Sequence, residues 1–149
     1  MSNIDIRDIW FDFAAAFARK KDASGWDALT SQEQEIATLW MLEADVYNGG
    51  FVQFFCNWGE EAYICAVRAL QTVGAVHALE IVKSRYGCIK HLLEDERLTQ
   101  LWDIPMLLTE KEAELLDRLD HTFWEDQDRI AEIAYRYYVL QLGLSSPSS

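Results

Sequence analysis

The chain is poor in proline, cysteine and basic residues, and each shortage limits what it can be. Its 149 residues include two prolines, three cysteines and 13 lysines and arginines, against 25 aspartates and glutamates. Few prolines leave long stretches in which a helix need not be interrupted. Cys56, Cys65 and Cys88 are an odd number without a C-x-x-C pair. We therefore expect reduced, buried thiols and no disulfide framework.

Long hydrophobic runs are also missing. No stretch approaches the ~18 uninterrupted apolar residues of a membrane-spanning helix, so no membrane insertion is expected. The first eight residues, 1–8, lack the basic region and apolar run of a signal peptide, and a cytoplasmic location is expected. The formal net charge of −12 argues against direct binding to nucleic acid or to an anionic membrane.

What the sequence does contain predicts one all-α domain of about seven helices. Half of the residues are apolar and 13% are aromatic, enough for a proper core. Apolar residues recur at helical spacing nearly throughout, and no alternating strand pattern stands out. We assign residues 1–143 to a single helical domain and residues 144–149 to a disordered tail. Helix breaks are expected at Asn48-Gly49-Gly50, at Asn57-Trp58-Gly59, at Gly74 and at Gly143.

The prediction also includes two capping boxes and the bounds of several helices and loops. Thr30 with Glu33, and Thr109 with Glu112, have the spacing in which a hydroxyl and a carboxylate satisfy free backbone donors at a helix start. Residues 75–93 are predicted to form one helix, and residues 22–29 and 101–108 are predicted to form loops. The last helix is expected from about Glu125 to Leu142, with the following side chains inward: Ile130, Ile133, Ala134, Tyr137 and Leu140.

Catalytic and metal-binding patterns are weak. His77 and Glu80 share a helix face, as do His121 and Glu125, but a di-iron bundle needs two Glu-x-x-His motifs and further glutamates. No zinc-ligand spacing and no glycine-rich phosphate loop are present. Cys56 lies between Phe55 and Trp58, which indicates a packed thiol. No catalytic residue, metal or cofactor is therefore predicted.

Acidic residues are concentrated in one segment. Residues 94–132 contain 13 acids and four bases, a local net charge of −9, so the other 110 residues carry 12 acids and nine bases, a net of −3. The segment also has apolar residues at helical spacing, which indicates that it folds. A folded surface of one charge sign selects partners of the opposite sign, and large basic surfaces in cells are commonly those that bind nucleic acid.

The spacing of these acids suggests two charged rows. Glu110, Glu114 and Asp117 lie at i, i+4 and i+7, and a second set lies at i, i+3 and i+7 on the predicted last helix, with neighbours about 5–6 Å apart. Two such helices side by side would resemble two rows of phosphates. The same pattern also fits an ordinary solvated helix face. The predicted partner-binding residues are Glu94, Asp95, Glu96, Asp103, Glu110, Glu114, Asp117, Glu125, Asp128 and Glu132.

One string has family character: Tyr-Asn-Gly-Gly-Phe-Val-Gln-Phe-Phe-Cys-Asn-Trp-Gly at residues 47–59, here called the Asn-Gly-Gly-Phe motif. Glu43 precedes it and residues 69–75 follow. This string resembles the bacterial DNA-mimic protein family of small helical domains, over about residues 30–142. The resemblance implies an acidic, dimeric protein that imitates duplex DNA and occupies a helix-turn-helix transcription factor. The motif itself fits either a structural turn or a groove formed by Glu43, Tyr47, Gln53 and Asn57.

The leading hypothesis is therefore a non-enzymatic DNA mimic that binds a basic DNA-binding regulator through its acidic helices and blocks access to DNA. A two-fold homodimer would suit a symmetric regulator. Its candidate interface aromatics, which fit the core equally well, are Phe123, Trp124, Tyr135 and Tyr138. Two other interpretations stay open. One is an immunity-like interaction module for another basic protein. The other is a small hydrolase or ligand-binding domain that uses the Glu43–Asn57 region.

Overall fold

The computed structural model describes residues 5–147, and within that range the chain is helical without a strand. The all-α class is confirmed. Ser148 and Ser149 of the predicted tail lie outside the described residues. Six α-helices carry the fold: α1 Ile6–Ser24, α2 Ser31–Val73, α3 Val76–Ile89, α4 Ile104–Leu107, α5 Glu110–Trp124 and α6 Ile130–Ala134. Three short 3₁₀ turns, Trp26–Ala28, Lys90–Glu94 and Leu101–Asp103, and a π-helical segment, Tyr135–Gln141, connect or extend them.

The first helix starts from a side-chain cap and packs along α2. The carboxylate of Asp5 accepts a hydrogen bond from the backbone N–H of Arg7 at 2.9 Å, which satisfies one free donor of the first turn. Trp10, Ala14 and Phe17 then face the core at helical spacing. The helix runs to Ser24, so part of the predicted loop between residues 22 and 29 is helical.

The long helix α2 is bent twice by glycine. Thr30 and Glu33 form the predicted capping box at its start. Gly50 has φ 85° and ψ 178°, and Gly59 has φ 82° and ψ −169°, in a backbone region that essentially only glycine occupies. These two breaks divide α2 into the three helical segments predicted from the sequence. With α2 counted as three segments, the described residues contain eight helical segments, and without α4, which lies in a predicted loop, they match the expected number of about seven.

A single hydrophobic core surrounds α2. Its side chains come from every α-helix, and each fully buried large side chain contributes about 1.5–3 kcal/mol relative to an exposed one. The largest apolar side chains with essentially no exposure are Trp10, Phe17, Ile36, Leu39, Leu42, Phe51, Phe54, Phe55, Leu70, Ile89 and Tyr138. The phenylalanines of the Asn-Gly-Gly-Phe motif thus lie at the centre of the molecule.

The region between α3 and α5 differs from the prediction. The α-helix ends at Ile89 and continues as a 3₁₀ turn, and residues 101–107, predicted as loop, form a 3₁₀ turn followed by α4. Asp103 explains this local order, because its carboxylate accepts hydrogen bonds from the backbone N–H groups of Thr99 and Gln100 at 3.0 and 3.1 Å. Ile104, with no exposure, then anchors the short helix in the core.

The predicted last helix from Glu125 to Leu142 is wrong. α5 ends at Trp124, and Asp126 and Arg129 adopt left-handed backbone conformations with φ 48° and 55°. The carboxylate of Asp126 accepts a hydrogen bond from the backbone N–H of Ile130 at 3.0 Å and so starts α6. A turn therefore replaces the predicted helix at residues 125–129.

The π-helical segment changes which C-terminal side chains face inward. Its wider turn shifts the register by about one residue relative to an α-helix. Tyr138, and not Tyr137, is fully buried, whereas Leu140, predicted inward, is 65% exposed. The backbone N–H of Leu144 bonds to the carbonyl of Tyr138 at 3.0 Å, and Leu144 packs against the core beyond the end of the helix.

Candidate functional site

The outer face of α5 presents three acids in one row, here called the α5 ridge: Glu110, Glu114 and Asp117. All three side chains are exposed. At 100° per residue they project within an arc of about 60°, which His121 shares one turn further on. The opposite side of the helix places Leu116 and Phe123 in the core, at 3% and 2% exposure. Burial of that side fixes the ridge toward solvent.

The basic residues of α5 lie beside the ridge. Lys111 and Arg118 are exposed and project about 80° around the helix from the centre of the ridge. Within residues 5–147 neither of them forms an ion pair with Glu110, Glu114 or Asp117. The ridge charges are therefore not neutralised by direct contacts with these bases.

The segment that precedes α4 adds charge at the N-terminal end of the ridge. His91 Nε2 lies 3.0 Å from Glu112 Oε2, which joins the 3₁₀ turn of residues 90–94 to the first turn of α5. Glu94 and Glu96 follow this contact and are exposed. Asp95 is held by Arg97, whose guanidinium hydrogen bonds keep the pKa of Asp95 low, at about 2. The negative charge of Asp95 is thus largely balanced by the positive charge of Arg97.

Three other predicted partner-binding acids also have partners within the chain. Asp103 caps the backbone at residues 99–100. Asp128 accepts a hydrogen bond from the backbone N–H of Ala78 at 2.7 Å, near the start of α3. Glu132 lies 3.5 Å from Arg129 and 2.9 Å from Arg136. The predicted second row, with Glu125, Asp128 and Glu132 on one helix face, does not exist because residues 125–129 form the turn.

The structure brings together a buried ion pair that the sequence analysis missed. Arg85 of α3, with no exposure, lies with its Nη1 2.5 Å from Asp120 Oδ1 of α5, and Asp120 is 8% exposed. The guanidinium carbon is 5.0 Å from the centre of the Phe51 ring and 4.7 Å from that of Phe123. Burial lowers the pKa of Arg85, and the Asp120 carboxylate opposes that effect. Two of the three guanidinium nitrogens, Nε and Nη2, have no hydrogen-bond partner.

The ion pair also explains Gly50, the second glycine of the Asn-Gly-Gly-Phe motif. Asp120 Oδ1 accepts a second hydrogen bond, at 3.1 Å, from the backbone N–H of Phe51. A Cβ atom on Gly50 would overlap the other carboxylate oxygen of Asp120, and one on Gly49 would overlap the side chain of Gln53. The motif therefore lets the backbone of α2 approach α5 closely, which supports its structural interpretation.

Three side chains of the motif donate hydrogen bonds to Asp45. Its carboxylate accepts hydrogen bonds from Trp58 Nε1 at 2.7 Å, from Gln53 Nε2 at 2.9 Å and from Asn57 Nδ2 at 3.5 Å. These bonds tie together the helical segments on the two sides of Gly50. The predicted groove does not form as expected, since Gln53 and Asn57 meet Asp45 and not Glu43.

Glu43 lies elsewhere, buried beneath a surface pocket. It is 4% exposed, and its Oε1 atom has no hydrogen-bond partner. Burial, with a smaller contribution from the negative charge of Asp126, raises the pKa of Glu43 to about 8, and Arg7 acts in the opposite direction. The pocket has a volume of 370 Å³, and its walls are formed by Asp5, Ile6, Arg7, Tyr47, Trp124, Glu125, Asp126, Arg129, Ala131 and Glu132.

The three cysteines are not activated for nucleophilic catalysis. The Cys56 thiol donates a hydrogen bond to the carbonyl of Leu101 at 3.1 Å, and burial raises the pKa of this thiol to about 11. Burial also raises the pKa of Cys65 and of Cys88. All three are free cysteines. A thiol with a raised pKa contains little of the reactive thiolate at neutral pH.

Metal binding and membrane insertion find no structural support in residues 5–147. No group of three or more His, Cys, Asp or Glu side chains in this range is arranged to hold a metal ion. None of the helices in the same range is long and apolar enough to cross a membrane.

The four aromatics proposed for a dimer interface have different positions. Phe123 and Tyr138 are buried in the core and cannot contact a second copy, and Tyr135 is half-buried. Trp124 is 38% exposed, stacks on Tyr47 at a ring distance of 6.4 Å and donates a hydrogen bond from Nε1 to the carbonyl of Val46 at 3.2 Å. Trp124 is therefore the most exposed of the four aromatics within the described residues.

The sequence contained a signal for the buried ion pair. Ile81, Arg85 and Ile89 recur at i, i+4 and i+8, so a charged residue occupies an inward position of α3. Asp120 likewise lies between the inward Leu116 and Phe123 of α5. Charged residues are almost never fully buried unless they are paired, so two such positions on neighbouring helices predict each other.

Comparison with known proteins supports the resemblance carried by the Asn-Gly-Gly-Phe motif. A family model described as DMP19-like protein matches residues 27–141, which include the motif, the buried ion pair and the α5 ridge. Searches of curated proteins and of solved structures find no significant match. Because the family model covers well over half of the residues, the chain belongs to the DMP19-like family of DNA-mimic proteins.

Proposed function

We propose that this protein is a DNA mimic that binds a DNA-binding transcriptional regulator, of the helix-turn-helix class, and blocks its access to DNA. The α5 ridge is the centre of the binding surface, with Glu94 and Glu96 at one end and Glu125 at the other. Four of the predicted acids have a structural part at this surface, because their carboxylates are engaged within the chain: Asp95, Asp103, Asp128 and Glu132. No catalytic step is part of the proposal.

The exposed α5 ridge is the observation that carries this proposal. Glu110 and Asp117 are separated by about 10 Å along the helix axis, and the ridge presents three carboxylates over that length. One strand of DNA presents about three phosphates over the same length, at about 3.4 Å each. The ridge thus offers a basic groove-reading helix a charge density similar to that of one strand. Its acids also repel one another mildly, a cost that a binding role explains.

A homodimer located in the cytoplasm completes the proposal. Trp102 and Met106 lie one helical turn apart in the continuous stretch of residues 101–107 and are 51% and 79% exposed. Large apolar side chains exposed together are typical of protein contact surfaces. Pairing through them would leave the α5 ridge of each copy available to one half of a two-fold regulator.

Charge reversal of the ridge is the direct test. The variant carries Glu110→Lys, Glu114→Lys and Asp117→Lys. The matched control reverses Asp12, Asp27 and Glu80, which are exposed and lie on different elements, and whose side chains form no hydrogen bond or ion pair within the described residues. Both variants change the net charge equally, and circular dichroism with thermal unfolding establishes that each is folded. Immobilised wild type first captures partners from a lysate of the source cell at low salt.

We expect the captured protein to bind DNA, to be released by its own duplex, and to bind the ridge variant at least about 100-fold more weakly than wild type. The dispersed control should lose less than about tenfold. Equal losses of affinity in the two variants would show that the partner responds only to the net charge of the protein, which would contradict the proposal. A captured partner that binds no DNA would favour an interaction module for another basic protein.

A further inference from the structure

We propose that the pocket beneath the C-terminal end of α5 receives an arginine side chain of the protein partner. This inference extends the proposed function, on which the identity of the partner rests. The pocket is formed where the start of α1, the middle of α2 and the turn between α5 and α6 meet. Its volume of 370 Å³ is ample for one guanidinium with its aliphatic stem.

One wall of the pocket is aromatic and rigid. Tyr47 and Trp124 stack with an interplanar angle of 20° and are 41% and 38% exposed. The hydrogen bond from Trp124 to the carbonyl of Val46 fixes the indole to α2. A guanidinium group stacks readily on aromatic faces, where the ring quadrupole attracts the positive charge. An exposed and fixed pair of rings is thus a suitable platform for it.

The charged groups around the pocket favour a cation. Asp5, Glu125, Asp126 and Glu132 contribute four negative charges, whereas Arg7 and Arg129 contribute two positive ones. Arg129 already lies 3.5 Å from Glu132. The walls therefore retain a net negative charge, and the carboxylate of Asp126 is held at the pocket by a left-handed backbone with φ 48°.

The buried carboxyl group of Glu43 is a second, independent reason to expect a cation in the pocket. Its Oε1 atom is buried without a hydrogen-bond partner, and its charge interacts with that of Arg7, Asp126 and Tyr47, all of which line the pocket. A buried carboxyl group without a hydrogen-bond partner is destabilised, and a positive charge in the neighbouring pocket would favour its ionised form. A guanidinium provides five donors. An anion would instead face the carboxylates of Glu125 and Asp126 and be repelled.

The position of the pocket links it to the α5 ridge. His121, which shares the ridge arc, contacts Trp124 with a ring distance of 4.5 Å, and Glu125 follows directly. A regulator helix that lies along the ridge would therefore reach the pocket with a side chain at its end. Arginine is the residue that DNA-binding proteins most often direct at guanine edges and phosphates. The pocket would capture such a side chain in place of DNA.

Binding of a cation should also release a proton. Because the pKa of Glu43 is about 8, its carboxyl group is mostly protonated at neutral pH. A guanidinium nearby favours the ionised form, so affinity should rise by about tenfold between pH 6.5 and 8.0. The other charged or titratable groups that face Glu43 are Asp126, Tyr47 and Arg7, and burial raises the pKa of Tyr47 above its ordinary value.

The test uses the full chain and a small probe, so it does not depend on finding the regulator. N-acetyl-arginine amide is titrated into isotopically labelled protein at millimolar concentrations, and the indole N–H signal of Trp124 is followed by NMR. The neutral isostere N-acetyl-citrulline amide is the matched ligand control, and inorganic phosphate tests for an anion site. We expect saturable shifts at Tyr47 and Trp124 with the arginine probe, and at least fivefold weaker binding of the citrulline probe.

Two variants separate the pocket from the fold. Asp126→Asn removes the charge but keeps an oxygen to cap Ile130 and tolerates the left-handed backbone, and it should weaken the arginine probe at least threefold. Asp27→Asn, at an exposed position outside the pocket walls and the ridge, should leave binding of the probe unchanged. Glu43→Gln should abolish the pH dependence. The inference is overturned by equal binding of the two probes, by phosphate binding in their place, or by no saturable shift at Trp124. If the ridge variant still binds the regulator as tightly as wild type does, the proposed function is contradicted. Binding of the arginine probe to the pocket would be unaffected by that outcome.

Discussion

Asp120 receives hydrogen bonds from two directions, from the guanidinium of Arg85 on α3 and from the backbone N–H of Phe51 on α2. One carboxylate thus joins three helices at the point where Gly50 breaks α2. Asp120 belongs to the most acidic segment of the chain, yet its side chain is buried in the core. The local charge of −9 therefore overstates the charge that a partner can contact.

Replacing Asp120 by asparagine should destabilise the protein strongly. The variant Asp120→Asn leaves the buried guanidinium of Arg85 without its counter-charge, and breaking a buried pair in this way costs about 3–5 kcal/mol of unfolding free energy. Urea denaturation monitored by tryptophan fluorescence measures the change. Asp117→Asn, one turn away and exposed, is the matched control and should change stability by less than about 0.5 kcal/mol. Similar values for the two variants would show that the pair contributes little.

Gly50 and Gly87 should respond in opposite ways to alanine. Gly50→Ala places a methyl group against the carboxylate of Asp120 and forces a left-handed backbone with φ 85°, so a loss of at least about 3 kcal/mol is expected. Gly87 lies inside α3 with no atom near the added Cβ, so Gly87→Ala should stabilise the protein by about 0.5–1 kcal/mol. Unfolding midpoints of the two variants, measured together, check both signs. A neutral Gly50→Ala would mean that α2 and α5 separate easily at this point.

The raised pKa of Glu43 makes the stability of the protein depend on pH. The unfolded state has the ordinary value of 4.5 and the folded state a value of about 8, so folding favours the protonated carboxyl group. This contribution is fully present below pH 4.5 and is lost as the pH rises toward 8. Glu43→Gln cannot ionise. Relative to wild type, it should therefore gain about 1 kcal/mol of unfolding free energy per pH unit between pH 5 and pH 8. A difference that stays constant with pH would mean that Glu43 titrates normally.

The sequence predicted the parts of the fold that depend on local chemistry. The capping boxes at Thr30 and Thr109 form because each needs only residues three positions apart. The breaks at Gly50, Gly59 and Gly74 form because glycine alone adopts their backbone angles without strain. Such features are encoded within a few residues and need no knowledge of tertiary packing.

The parts that were not predicted depend on distant contacts. Residues 125–129 contain neither glycine nor proline, and the turn there is held by Asp126, which caps α6, and by Asp128, which reaches the backbone of Ala78 across 50 positions. A periodic pattern cannot reveal such a contact. The same limitation affected the acids, since the sequence predicts their number and spacing but not which carboxylates are already engaged by donors elsewhere in the chain.

The exposed side chains of Trp102 and Met106 lead to a prediction about assembly. If these side chains form the interface of a two-fold dimer, light scattering after gel filtration should give twice the chain mass of 17.2 kDa for wild type. Trp102→Glu with Met106→Glu should give the mass of one chain, because two buried charges without partners prevent association. Both positions are already exposed, so the variant should fold normally.

Leu140→Glu with Leu142→Glu is the matched control for this measurement. These leucines are 65% and 40% exposed at the other end of the chain, and their replacement should leave the mass of the dimer unchanged. A monomeric wild type would remove the dimer from the proposed function. A control that dissociates while the Trp102 and Met106 variant stays dimeric would move the interface to the π-helical segment. The α5 ridges of the two copies would then be separated by a different distance, and the regulator half-sites that they match would change accordingly.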